Sequence, residues 1–153
     1  MEKVGMYYNS PLGLVWIEEE RGCISALRFV NERVVAEKTS ALLKNAYNQV
    51  DEYFHGQRKN FDLPLFQSGT DFQKKAWSYL QRIPYGETVA YKDEAIALGD
   101  AKACRAVGSA NGKNNIAIII PCHRVLSSDG SLGGYAYGVD VKKALLELEQ
   151  KYK

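Results

Sequence analysis

Five consecutive apolar residues, Ile116–Ile120, run directly into Pro121-Cys122-His123-Arg124-Val125. A short apolar run bounded by a turn residue predicts a buried strand. A strand that ends in three chemically active side chains must deliver them to a fixed place at the edge of a core. A thiol beside an imidazole and a guanidinium sits in an electropositive setting that favours the thiolate, the nucleophilic form of cysteine. Neighbours on an extended segment point to opposite faces, so His123 is expected to reach Cys122 through a water rather than directly. The competing reading is that Cys122 is one more small buried hydrophobe, as most cysteines are.

The chain has 153 residues, enough for one compact unit or two small lobes. A formal charge of +2 does not by itself announce a nucleic-acid binder. The distribution says more: Lys102, Arg105, Lys113 and Arg124 fall between Ala101 and Ser128 with no Asp or Glu among them. A solvated basic surface would give the same pattern. Three cysteines (Cys23, Cys104, Cys122) form no disulfide framework, which implies a reducing compartment. No apolar run approaches the roughly 20 residues that span a bilayer. The start, Met1-Glu2-Lys3-Val4, lacks the order of a signal peptide. A soluble, cytoplasmic protein is expected, with no membrane partner, or a nuclear one in a eukaryote.

Strand patterns cover Val4–Asn9, Leu12–Glu19 and Ile24–Val30, and a helical stripe follows through Val34, Val35, Leu42, Leu43, Tyr47, Val50 and Phe54. Residues 1–60 therefore form a small N-terminal strand-plus-helix lobe. His55, near the helix end, reads as structural. Residues 61–69, around Pro64, read as a linker, and 70–153 as a mainly helical C-terminal lobe, giving an α+β fold. That lobe opens on Thr70-Asp71-Phe72-Gln73, a capping-box spacing. Phe72, Ala76, Leu80 and Ile83 line the following helix. Thr88 is expected to cap a short helix ending at Leu98-Gly99, and Asp100 to cap another running to Ala110 and stopped by Gly112. The pair is a helix-turn-helix candidate, although many helical hairpins look alike. Val141, Ala144, Leu145 and Leu148 mark one side of a last amphipathic helix.

Pro121-Cys122-His123-Arg124 resembles the active-site signature of the O6-alkylguanine-DNA alkyltransferases. The resemblance extends to Arg105-Ala106-Val107-Gly108-Ser109-Ala110 ahead of Asn114, and to the glycine-rich stretch Gly130–Gly138 containing Gly133-Gly134-Tyr135-Ala136-Tyr137-Gly138. Ser10-Pro11-Leu12-Gly13 matches the family's amino-terminal lobe, and residues 70–149 follow its catalytic domain without a gap. The resemblance implies a ribonuclease H-like first lobe and a winged helix-turn-helix-like DNA-binding motif in the second. It implies a suicide repair protein, acting as a monomer without cofactor or metal. Such a protein transfers the alkyl group of O6-alkylguanine in double-stranded DNA, and of O4-alkylthymine in some members, to its own Cys122.

By the same resemblance His123 is the base, Glu149 orients its ring, and Asn114 ties the recognition helix to the active-site segment. On its own, Asn114 reads equally as a helix-end cap. Arg105 matches the arginine that fills the stack when the damaged base is flipped out, a step costing a few kcal/mol. Without the family it reads as a surface phosphate contact. Ala103, Ala106 and Gly108, with Lys102 beside them, leave little side chain between that helix and the minor groove. Tyr91 matches the tyrosine that helps rotate the nucleotide; read alone it is a packing aromatic. Arg124, Val125, Tyr135, Ala136 and Tyr137 are assigned to the substrate pocket. The chain departs from the family at Asn115 and Ala117, where many relatives carry prolines. It departs again at Glu94, a usually apolar position, at Cys104, at Ala136, and at Tyr137 on the pocket rim.

A non-catalytic lesion sensor or helix-turn-helix regulator is the alternative. Lesion-sensing relatives that do not transfer alkyl groups lack the motif's cysteine. A regulator needs more base-reading side chains than Lys102 and Arg105 provide. A thiol hydrolase would need an oxyanion hole, of which the sequence gives no sign. Three scattered cysteines and two histidines give no zinc-ligand spacing.

Overall fold

Alternating apolar residues and two tight turns build the first unit of the computed structural model, which describes residues 4–153. Strands β1 (Val4–Ser10), β2 (Gly13–Glu20) and β3 (Cys23–Val30) form an antiparallel sheet in the order β1-β2-β3. The second turn, Arg21-Gly22, has positive φ at both residues (56° and 72°), the geometry that matches strand twist in a two-residue hairpin. Helix α1 (Ala41–Phe54) supplies Leu43, Ala46, Val50 and Tyr53 to the core beside Val15, Ile17, Ile24 and Leu27.

The helix does not begin at Val34. Ser40 is its N-cap, accepting from the Leu43 amide at 3.1 Å, and Val34 and Val35 are exposed. Residues ahead of it bond to β1 instead: the Val35 amide donates to the Tyr7 hydroxyl and the Lys38 amide to the Gly5 carbonyl. A backbone already satisfied by a strand has no need to form a helical turn. His55 caps α1, its Nδ1 lying 2.8 Å from the Asp51 carbonyl.

Residues 4–67 and Asn115–Ile119 make up this unit. The stretch around Pro64 is bonded along β3, with Ile24 and Leu65 bridged in parallel. Ile116 bridges Leu27 in the same way, but no strand continues from it. Ile119 bonds back to the Ala117 carbonyl at 2.8 Å across Ile118, whose φ is 70°. A β-branched residue held there stores strain and breaks the extended path. Ile116–Ile120 are apolar because they are buried on all sides, not because they alternate in a ladder.

The second unit spans Ser68–Asn114 and Ile120–Lys153. It holds α2 (Asp71–Leu80), β4 (Val89–Ala90), α3 (Tyr91–Ala97), α4 (Cys104–Gly112), a 3-10 turn over Cys122–Arg124, β5 (Val125–Leu126) and α5 (Val139–Lys151). β4 and β5 pair in parallel. The capping box forms as expected, Gln73 N–H donating to Thr70 Oγ1 and Thr70 N–H to Gln73 Oε1. Thr88 does not cap α3. Ala90 holds that place, with Asp93 accepting its amide at 2.8 Å. Asp100 likewise caps the turn before α4 by accepting from the Lys102 amide, so Lys102 and Ala103 precede the helix proper. Trp77 Nε1 donates to the Ala110 carbonyl at 2.9 Å and pins α2 to α4.

The capping box is exposed and touches nothing catalytic. Thr70→Ala should therefore lower stability by about 1 kcal/mol, read as an earlier urea midpoint with an unchanged slope.

Candidate active site

Pro121 sets the approach to Cys122. Its φ of −82° and ψ of 68° close an inverse γ-turn, with the Cys122 amide bonding the Ile120 carbonyl at 2.9 Å. The next three residues form the 3-10 turn, in which successive side chains diverge by a third of a revolution. Cys122 thus faces one way while His123 and Arg124 face α5. The extended segment expected from the apolar run is replaced by this turn.

On the α5 side, His123 Nε2 lies 2.7 Å from Glu149 Oε2, and both side chains are buried. Arg124 grips the same carboxylate, Nε to Oε1 at 2.9 Å and Nη2 to Oε2 at 3.1 Å, and its Nη1 donates to the Ile83 carbonyl at 2.7 Å. The Gly86 amide adds a bond to Glu149 Oε1 at 3.2 Å. Burial alone would raise the Glu149 carboxyl, but His123 and Arg124 outweigh it and hold the pKa at about 2. Burial pushes His123 below its ordinary value despite Glu149's opposing pull. A carboxylate can only accept, so a neutral His123 carries its proton on Nε2. Its Nδ1 lone pair is then the basic one. That atom is buried and has no hydrogen-bond partner among the described residues.

Cys122 lines a cavity of about 620 Å³ with Tyr91, Arg105, Asn111, Asn114 and Tyr135. Burial raises its thiol pKa, while Asn114's hydrogen bond and the Lys142 ammonium pull it down. The resting group is a thiol that needs a base, set beside donors that favour its anion. Asn114 Nδ2 also donates to the Ile120 carbonyl at 2.8 Å, tying the residue after α4 to the turn that carries Cys122. Gly133 closes another wall with φ 70°; a Cβ there would meet Ser127 Oγ at 3.0 Å and Tyr91 Cε2 at 3.2 Å. Tyr135 and Tyr137 meet edge to face, ring centres 5.6 Å apart.

The structure brings together most of the residues singled out from the sequence, but not all in the expected places. Tyr91, Arg105, Gly108, Tyr135, Ala136 and Tyr137 line the cavity. Arg124 does not; it is the clamp on Glu149. Val125 is fully buried in β5 behind the wall, its carbonyl accepting from Lys142 Nζ at 2.7 Å. Lys102 and Ala106 are exposed on the α4 side, and Ala103 is half-buried at its N-cap. Lys142 was missed. It is buried in α5, also bonds the Gly134 carbonyl at 3.2 Å, and lies over the Tyr91 ring. The signal was legible: Lys142, Leu145 and Glu149, at i, i+3 and i+7, are the buried stripe of α5. Two opposite charges at core positions mark a working face.

Comparison with known proteins fits this geometry. Residues 4–67 match the 6-O-methylguanine DNA methyltransferase ribonuclease-like domain, and residues 71–151 match that family's DNA binding domain. The chain belongs to the 6-O-methylguanine DNA methyltransferase family. It is 45% identical over 154 residues to the methylated-DNA--protein-cysteine methyltransferase of Methanosarcina barkeri, covering 95% of this chain and 98% of that one. It is 43% identical over 157 residues to the constitutive enzyme of the same name from Bacillus subtilis, covering 94% and 95%. The crystal structure of the Mycobacterium tuberculosis O6-methylguanine methyltransferase superposes with a TM-score of 0.90 at 38% identity, over 99% of this chain and 95% of that one. The same organism's protein in complex with DNA gives 0.87 at 39% identity, over 99% and 94%.

Glu149→Gln should leave Arg124 buried without its counter-charge and free the His123 ring. Removing one partner of such a buried pair costs roughly 3–5 kcal/mol. In the wild type, the depressed pKa means this stabilisation is present above the ordinary carboxylate range and is lost as pH falls towards about 2. Acid unfolding followed by circular dichroism should show a transition near that pH that the variant lacks.

Proposed function

We propose that this chain is a single-turnover DNA repair protein that moves the alkyl group of O6-alkylguanine in duplex DNA onto Cys122 Sγ. The observation that carries the reading is the thiol lining a base-sized cavity, backed by the buried His123–Glu149 pair. His123 Nδ1 takes the Cys122 proton through a bridging water, with the Nε2 proton already committed to Glu149. The thiolate attacks the alkyl carbon, the S–C bond forms, the C–O6 bond breaks, and guanine leaves with the electron pair. Tyr91 stands at the cavity wall to hydrogen-bond the base. The atoms balance without a co-reactant, and the thioether product ends activity.

Access to a base inside a helix requires flipping it out. The α4 face is built for close approach. A Cβ added at Gly108 would meet nothing within 4 Å, so packing inside the chain does not demand glycine there. A helix-interior glycine costs about 0.5–1 kcal/mol relative to alanine, and an external surface pressed against the helix explains its presence. Arg105, exposed and lining the cavity, would fill the vacated stack from the minor groove. Duplex DNA is the only macromolecular partner in this reading, and the protein acts as a monomer in the compartment that holds the DNA. The non-catalytic alternative is not favoured, because the chain carries the motif's cysteine and its relatives of 45% and 43% identity are methyltransferases by name.

Incubation with O6-methylguanine DNA should add one methyl per chain, mapped to Cys122, with no further turnover. Cys122→Ser should abolish transfer while lesion binding persists. A methyl found on Cys23 or Cys104 would overturn the assignment.

Arg105→Ala should slow repair of duplex DNA while sparing attack on free O6-benzylguanine, since only the duplex needs its stack filled. Equal losses on both substrates would instead point to a collapsed fold or a direct chemical role. A mere phosphate contact would instead change mainly the salt dependence of binding, by about one unit of slope.

A further inference from the structure

A carboxyl group lies fully buried between the two helices that flank the cavity, and the transfer chemistry does not use it. Glu94, on α3, has no exposed surface. Its Oε1 accepts from Asn111 Nδ2 on α4 at 2.9 Å. The remaining oxygens, Glu94 Oε2 and Asn111 Oδ1, are both buried and have no hydrogen-bond partner among the described residues. Both are acceptors as long as the carboxyl is ionised, and a buried anion with a single neutral donor is strongly disfavoured. One proton on Oε2 would turn that oxygen into a donor of the kind Asn111 Oδ1 lacks, and would allow an acid–amide pair with two hydrogen bonds.

We infer that Glu94 is a positioning residue which, as the neutral acid, latches α4 to α3 through Asn111 and so sets the cavity wall for alkyl transfer. The inference rests on the functional reading above. Asn111 lines the cavity, Arg105 and Gly108 share its helix, and Tyr91 begins the helix that carries Glu94. Displacing α4 from α3 would therefore move the wall and the arginine together.

The groups facing Glu94 do not offset its charge. They are Asn111 from α4, Tyr79 from α2, Tyr91 from its own helix and Cys122 from the 3-10 turn. An ionised Glu94 pushes the pKa of Tyr79, Tyr91 and Cys122 upward, so it opposes the thiolate as well as the helix contact. The buried cation Lys142 is bonded to the Val125 and Gly134 carbonyls, and Arg124 to Glu149. Burial lifts the Glu94 carboxyl to about 7, partly offset by Asn111's bond. With the folded pKa raised, the latch is fully closed below the ordinary carboxylate range and opens as pH rises through about 7.

Glu94→Gln is the direct test, because glutamine offers Asn111 the same donor and acceptor at every pH. Melting temperature and the single-turnover rate of methyl transfer from duplex DNA would be measured on the full chain from about pH 6 to 8.5, spanning the titration. The wild type should match Glu94→Gln at the acid end and fall behind it in both readouts towards the alkaline end. The wild-type to variant rate ratio should drop by about threefold or more as the acid form is depopulated. Glu94→Leu, which removes the latch without leaving a charge, should be slower than Glu94→Gln at all pH values, with a constant ratio between them. A constant wild-type to Glu94→Gln ratio, or a Glu94→Leu variant as fast as Glu94→Gln, overturns the latch. The melting arm needs no substrate. A pH-dependent gap there, with no methyl ever reaching Cys122, would sink the functional reading and leave the acid–amide pair standing.

Discussion

The buried side of the 3-10 turn, His123 and Arg124, hangs on the buried carboxylate of Glu149. It accepts from His123, twice from Arg124, and from the Gly86 amide. A lone carboxylate at that depth would be driven to protonate, and a lone guanidinium at Arg124 would be costlier still. Each is tolerable only because of the other. The pair also fixes a proton. With Nε2–H spoken for, His123 turns its basic Nδ1 away from Glu149, and the 3-10 turn puts Cys122 on a different face from both. The Pro-Cys-His-Arg sequence is thus a division of labour: one residue for the cavity and two for the core.

The cavity is a compromise between making a nucleophile and keeping it quiet. Burial holds Cys122 as a thiol, which protects it from idle reaction, while Asn114 and Lys142 stand ready to stabilise the anion once it forms. Lys142 serves two further ends by bonding the carbonyls of Val125 and Gly134, so the same ammonium braces β5 and the glycine-rich loop. A side chain with three obligations leaves little freedom for substitution. The Glu94–Asn111 contact is the corresponding brace on the other wall, and it replaces apolar packing with a polar pair that depends on a proton.

Much of this was legible in the chain. The hairpins followed from alternation and turn residues, and the capping box from Thr70 and Gln73. Cys122 and His123 stood out by their motif, while Glu149 and Asn114 were marked only by the resemblance to the family. Errors concentrated where local pattern and tertiary demand disagree. Val34 and Val35 continue a helical stripe in the sequence, yet both are exposed and the Val35 amide bonds to Tyr7 of β1. Thr88 and Asp100 are good capping residues in the wrong places, because Asp93 reaches Ala90 first and Asp100 bonds within its own turn. Ile116–Ile120 carried the composition of a strand while folding as a strained, wholly buried path.

The sequence by itself determined the chemistry on offer: one thiol between a proline and an imidazole, a basic small-residue helix and a glycine-rich loop. It also determined the elements, since periodicity and caps are local properties. Only the tertiary structure decided which charges became partners. That Arg124 clamps Glu149 instead of entering the pocket, that Lys142 is buried beneath the loop, and that Glu94 meets Asn111 across two helices are facts about side chains far apart in sequence. Burial sets the cost of each charge, and a partner's position decides whether that cost is met. Neither quantity exists until the chain has closed on itself.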